Sequence, residues 1–187
     1  MRGSIVSSGF ASGDRVVVGH WQVTPIGPLT DVMWATPDGH RILFAPHAAA
    51  AEFITSVYAF DDVEVCEIGV QEGRRRLDIT MGDRELSFIA RRGVPIPFRR
   101  PAWFTRLVEG PIARVLMGVV TYGTSPTGVR EWYRADRWAP LRDARATVSG
   151  ASLGPMVPVD PPCGFGFSEP PARPSWVAVR PLLEYPD

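Results

Sequence analysis

The sequence predicts an α+β chain that is mostly antiparallel β, folded as a barrel or strongly curved sheet with two helical segments. Three observations predict it. Short apolar runs rich in β-branched and aromatic residues recur along the 187 residues. Nineteen prolines and eighteen glycines punctuate those runs, the pattern of short strands joined by turns. Helical spacing occurs in two places and does not alternate with the strands, as a parallel α/β sheet requires. No Gly-x-Gly-x-x-Gly turn opens a helix, which counts against a nucleotide-binding doubly wound fold.

Taken in order, Arg15–Gln22 (RVVVGHWQ) has the composition of a strand, and Pro25–Pro28 turns the chain. Leu29–Ala35 and His40–Ala45 flank Thr36-Pro37-Asp38-Gly39, a hairpin signal in which proline presets one turn dihedral and glycine takes a positive φ. Pro46 opens a helix over His47–Ala59, since proline is tolerated in the first turn. Phe53, Ile54, Val57 and Tyr58 form its apolar face. Val63–Val70, Arg74–Thr80 and Glu85–Ala90 read as a meander turning at Glu72-Gly73 and Gly82-Asp83. A second helical region spans Pro101–Met117 and is kinked or split at Gly110-Pro111. Strands return at Val119–Tyr122, Val129–Asp136, Ala144–Ser149 and Ser175–Leu182. Gly154–Pro174 is a long proline-rich loop, with Phe165 and Phe167 packing it over the barrel mouth. The whole, 1–187, reads as a single domain. It has a β-rich core over 10–153 with helices near 47–59 and 101–117, the proline-rich loop over 154–174 and a final strand over 175–183.

Composition narrows the function. All twenty cationic side chains are arginine; lysine and asparagine are absent, as in chains encoded by GC-rich DNA. Without lysine there is no internal Schiff base and no Gly-Lys-Ser/Thr phosphate loop. Net charge is zero, which argues against a globally basic nucleic-acid binder. No apolar run is long enough to span a membrane. The N-terminus does not read as a secretion signal, and Cys66 and Cys163 are expected as reduced thiols in a cytoplasmic protein. Locally the charge is uneven. Asp61, Asp62, Glu64, Glu67 and Glu72 form an acidic stretch, and nine arginines follow between Arg74 and Arg106. Adjacent meander strands are expected to pair these charges across the sheet. The group Arg91, Arg92, Arg99 and Arg100 is harder to neutralise and is a candidate anion patch.

Two constellations carry possible chemistry. On a strand over Val129–Asp136, Arg130, Trp132, Arg134 and Asp136 share one face, with Glu131 and Tyr133 on the other. Arginine forks grip carboxylate or phosphate and an indole offers a flat apolar wall, so Arg130, Trp132 and Arg134 are candidate ligand anchors, with Trp21, Trp34 and Tyr122 as walls. The second constellation is Gly19-His20-Trp21 with Asp31 and Trp34. Asp31 interrupts an apolar strand, sharing a face with Met33 and Ala35, and an inward carboxylate there must be paired or perturbed. Asp31, Glu131 and His20 are the candidate catalytic groups. His20, His40 and His47 are the candidate metal ligands, although their spacing specifies no site, and no cofactor is expected.

The order of elements resembles, at the level of fold, lipocalin-like barrels and acetoacetate-decarboxylase-like curved barrels. Gly27-Pro28-Leu29-Thr30-Asp31 resembles, over those five residues, the Gly-Pro turn that enters a strand in the latter. Decarboxylation in that family needs a catalytic lysine, which this chain lacks, so the resemblance implies a fold and not that activity.

Three functions stay open at this level. The first is binding of a small, partly apolar, anionic molecule in a barrel-like pocket. The second is a lysine-independent acid–base enzyme, a hydrolase or lyase, on the same scaffold. The third is a structural or protein-interaction domain without a pocket, presenting Phe165, Phe167 and Trp176 as an apolar patch. A small molecule and a second copy of the chain are the partners the sequence admits. Membrane and nucleic acid are not expected.

Overall fold

β-branched and aromatic residues at alternate positions build the first part of the chain into neighbouring antiparallel strands. The computed structural model describes residues 1–96, 122–124, 130–132, 134–166 and 169–184, and for 122–124, 130–132, 183 and 184 the backbone alone. Along it run β1 (Arg2–Phe10), β2 (Arg15–Val23), β3 (Leu29–Ala35), β4 (Arg41–Ala45), α1 (Ala48–Thr55), β5 (Asp62–Val65), β6 (Gly69–Gly73), β7 (Arg76–Met81), β8 (Arg84–Ala90) and β9 (Val94–Pro95). Then come β10 (Tyr122–Thr124), β11 (Arg130–Trp132), β12 (Ala135–Val148), β13 (Ala151–Ser152), β14 (Met156–Val157), β15 (Ser175–Val179) and β16 (Leu182–Glu184).

Ten strands hydrogen-bond in the order β5-β4-β3-β2-β1-β15-β12-β8-β7-β6. Every neighbouring pair is antiparallel except β4–β5. The sheet curls into a half-barrel. Its concave side is filled from both ends by Val16, Val18, Val32, Trp34 and Phe44 on one flank and Leu77, Ile79, Leu86 and Phe88 on the other. Each of these side chains contributes about 2 kcal/mol or more when fully buried. The strand period of two puts Val17, Trp21, Leu29, Met33, Ala35 and Leu43 on the convex side. There α1 (Ala50, Ala51, Ile54) and the loop residues Val159, Cys163 and Phe165 cover them.

The hairpin signal is correct. Gly39 adopts φ +90°, and the turn closes with Thr36 and His40 sharing a backbone hydrogen bond of 2.9 Å. Several expectations need correction. Among the described residues the chain is mostly β with one short helix; the predicted second helix, 101–117, lies outside them. The first helix ends at Thr55 rather than Ala59, where the Thr55 hydroxyl donates to the Ala51 carbonyl (2.8 Å) and the Ser56 hydroxyl to that of Phe53 (2.7 Å). Val63–Val70 is two strands on opposite edges of the sheet, because β5 joins β4 and β6 joins β7. The meander turn falls at Arg74-Arg75 instead of Glu72-Gly73. Phe165 is buried and packs on the Phe60 ring at 5.6 Å, so it does not join an exposed patch; Phe167 lies outside the described residues. Both cysteines are free thiols. Among the described residues no helix is long and apolar enough to cross a membrane.

Candidate functional site

The topology separates the two charged stretches that follow each other in sequence. The acidic stretch is neutralised from the β2–β4 side. Arg41 donates to both carboxylate oxygens of Asp61, at 3.0 and 2.8 Å, which holds that carboxyl well below its usual range. His40 meets Asp62 at 2.6 Å and is raised chiefly by that hydrogen bond. Glu72 reaches His20 at 3.4 Å. Cross-strand pairing with the arginine stretch therefore does not form as expected. Of those arginines, Arg76 pairs along its own strand with Asp78 at 2.6 Å.

The others gather. Two clefts of about 440 and 490 Å³ share Arg74, Arg75, Ala90, Arg91 and Arg92 as walls. Arg137 and Trp176 complete the first, and Arg76 and Arg142 the second. Thus five arginines line the first cleft and six the second, Arg74, Arg75, Arg91 and Arg92 being common to both, and among the described residues no carboxylate lines either. Two irregularities in β12 place its contributions. Asp136 is an extra residue between Ala135 and Arg137 in the ladder with β15, and Arg142 is extra between Leu141 and Asp143 in the ladder with β8. A bulge of this kind redirects the side chains around it. The tip of the β6–β7 hairpin supplies Arg74 and Arg75, which are exposed. The like charges raise one another's energy, and an incoming anion relieves that.

Arg130, Glu131, Trp132 and Tyr122 lie on β10 and β11, which form a separate three-stranded sheet with β16; their side chains fall outside the description. The strand expected over Val129–Asp136 is interrupted. β11 ends at Trp132, Arg134 is exposed between strands, and Asp136 at the bulge receives both arms of Arg180 at 2.7 Å.

The β2–β3 hairpin carries the remaining candidates. Trp34 is buried on the concave side, and its indole N–H donates to Asp14 at 2.7 Å. Asp31 is fully buried on the convex side, grouped with Met33 and Ala35 as the alternation indicates. Trp21 donates its indole N–H to one Asp31 oxygen at 2.9 Å; the other oxygen has no partner. Burial, partly offset by the Trp21 bond, pushes this carboxyl up to about 7. Gly19 makes room for the pair, because a Cβ there would overlap both the Asp31 oxygen and the Trp21 nitrogen. Asp31 is sealed from solvent, so it touches no molecule in the clefts.

His20 faces the other way. Its Nδ1 lies 2.7 Å from the Thr30 hydroxyl, its directly opposite neighbour on β3. Both residues line a hollow of about 250 Å³ where β2 ends, β3 begins and the chain enters α1. Trp21 and His47 line it too. His47 spends its Nδ1 as the helix cap, accepting from the Ala50 amide at 3.1 Å. His40 stands apart with Asp62. Among the described residues no three potential metal ligands converge. Thr30 and Glu72 carried no signal in the sequence, because only the strand register and the curl bring them to His20.

No family model matches the chain, and no curated protein does. Among solved structures, an acetoacetate decarboxylase from Legionella pneumophila aligns over 97% of this chain and 82% of its own, at 8% identity and a TM-score of 0.45.

Proposed function

We propose that the chain binds a small, partly apolar anionic molecule in the arginine cleft. The observation that carries this reading is the gathering of Arg74, Arg75, Arg91, Arg92 and Arg137 around the first cleft, which no described carboxylate lines. Guanidiniums suit carboxylate, sulfonate or phosphate because their paired N–H groups match two oxygens at once. Ala90, Ala139 and the half-buried Trp176 supply the apolar floor. Arg130 and Trp132 of β11, and Arg134 after it, are proposed as further anchors, with Tyr122 as a wall.

Anilinonaphthalene sulfonate, an aromatic anion, is a suitable probe. Titration by fluorescence is expected to saturate and to weaken as salt is added. Arg91→Ala with Arg137→Ala weakens binding about tenfold or more, the scale of lost charge-assisted hydrogen bonds, while the melting curve is unchanged. Undiminished affinity in that double variant overturns the cleft as the site. Arg130→Ala with Arg134→Ala, measured in parallel, decides whether these two arginines take part.

A further inference from the structure

We infer that Thr30, His20 and Glu72 form a nucleophilic relay for small acyl esters, separate from the arginine cleft and independent of it. Two contacts converge on the hollow at the end of β2. The Thr30 hydroxyl lies 2.7 Å from His20 Nδ1. On the other side of the ring, His20 Nε2 lies 3.4 Å from a Glu72 carboxylate oxygen. One tautomer serves both contacts: Nδ1 bare toward the hydroxyl, Nε2–H toward the carboxylate. That is the order hydroxyl, base, carboxylate that activates an alcohol for acyl transfer.

The carboxylate is the telling member. A threonine and a histidine facing each other on β2 and β3 form an ordinary cross-strand pair. Glu72 arrives from β6, the far edge of the sheet, and reaches the ring only because the half-barrel curls round. Trp21, Leu29, Ile68 and Val70 give the hollow an apolar lining around the Thr30 hydroxyl, and about 250 Å³ admits a short acyl chain. Pro46 and His47 form another side, and α1 starts from them, so the positive end of its dipole stands at the rim where a carbonyl oxygen gains negative charge.

The step balances without a further reagent. Thr30 Oγ1 forms a bond to the acyl carbon as its proton passes to His20 Nδ1. Glu72 faces the resulting imidazolium. The ester C–O bond breaks, and the leaving alcohol takes the proton. Water, deprotonated by the same nitrogen, then releases the acid and restores Thr30. Thr30 and His20 are the catalytic residues; Glu72 acts through His20 and is a positioning residue.

The absence of lysine makes the test clean, because the side-chain amines that acylating reagents usually modify are missing. The intact chain is treated with 4-nitrophenyl acetate and its peptides are mapped by mass spectrometry. An acetyl group on the Thr30 peptide is expected, together with release of nitrophenolate. Thr30→Val, which keeps the shape, abolishes that adduct, and Thr30→Ser restores it. His20→Asn slows acylation about a hundredfold. Glu72→Gln slows it about tenfold while leaving the half-saturating ester concentration unchanged, a split that a purely structural role does not produce. Melting curves of all four variants establish that they are folded. Acetylation confined to other residues, or a Thr30 adduct that forms equally fast in folded His20→Asn, overturns the relay.

Discussion

The arginine cleft and the β2–β3 hairpin hold their charge in opposite ways. In the hairpin each polar group is matched or sealed: Trp34 with Asp14, His20 with Thr30 and Glu72, Trp21 with a desolvated Asp31. In the cleft Arg74, Arg75, Arg91 and Arg92 stand exposed, with no carboxylate among the described walls. The difference teaches that neighbours in sequence need not neutralise one another. The acidic and basic stretches are consecutive, yet the sheet sends β5 to one edge and β6 to the other. Asp61, Asp62 and Glu72 spend themselves on Arg41, His40 and His20. Charge in the hairpin is met from within the chain, and charge on the described cleft walls is not.

Three stability measurements sharpen or break that contrast. The largest effect belongs to Asp31. Its carboxyl titrates at about 7 in the fold against 3.8 when exposed. The folded state thus holds its proton more tightly than the unfolded state. The benefit is complete below about pH 4, falls as pH rises and is gone above about pH 7. The span of that loss is on the order of 4 kcal/mol. Urea melts from pH 4 to 8 should show wild type losing this much relative to Asp31→Asn, which has nothing to titrate. Parallel pH profiles would mean that the carboxyl is not desolvated.

Gly19→Ala comes next. Its Cβ is driven into the Trp21–Asp31 pair, and overpacking of this kind costs about 2 kcal/mol. A thermal melt within experimental error of wild type would show that the pair moves aside freely. The smallest effect is expected from Arg91→Ser with Arg92→Ser. Removing exposed like charges should leave stability within about 0.5 kcal/mol of wild type, with any change in the stabilising direction at low salt. A substantial loss would place these arginines in the structural framework and erase the contrast with the hairpin.

How much of this was legible in the sequence differs by element. β2, β3 and β4 announce themselves through alternation and through Thr36-Pro37-Asp38-Gly39. β1 does not, because Gly3, Ser4, Ser7, Ser8 and Gly9 carry no β-branched signal. They are small because neighbours press close: a Cβ at Gly3 would meet Trp21, and one at Gly9 would meet Pro158. The run Val63–Val70 looks continuous, since a change of sheet edge leaves no mark in composition. Alternation correctly groups Asp31 with Met33 and Ala35, but only the packing of α1 and the 159–165 loop makes that face an interior one. His20 and Trp21 stood out by residue type. The arginine cleft was half visible: Arg91 and Arg92 were noticed as a patch, whereas Arg137 and Arg142 required the bulges in β12.

The short link Cys66–Ile68 joins the two outermost strands, β5 and β6. During folding neither edge can settle alone. Adding β5 to β4 fixes where β6 must begin, and the β6–β7–β8 meander, whose turns are short, can then reach β12 only if the sheet between has curled. Closing such distant pairings costs loop entropy before any contact repays it, which puts assembly in the slow range of β proteins, milliseconds to seconds. Lengthening this link with a few flexible residues would uncouple the edges, so the two ends of the sheet would form on separate clocks.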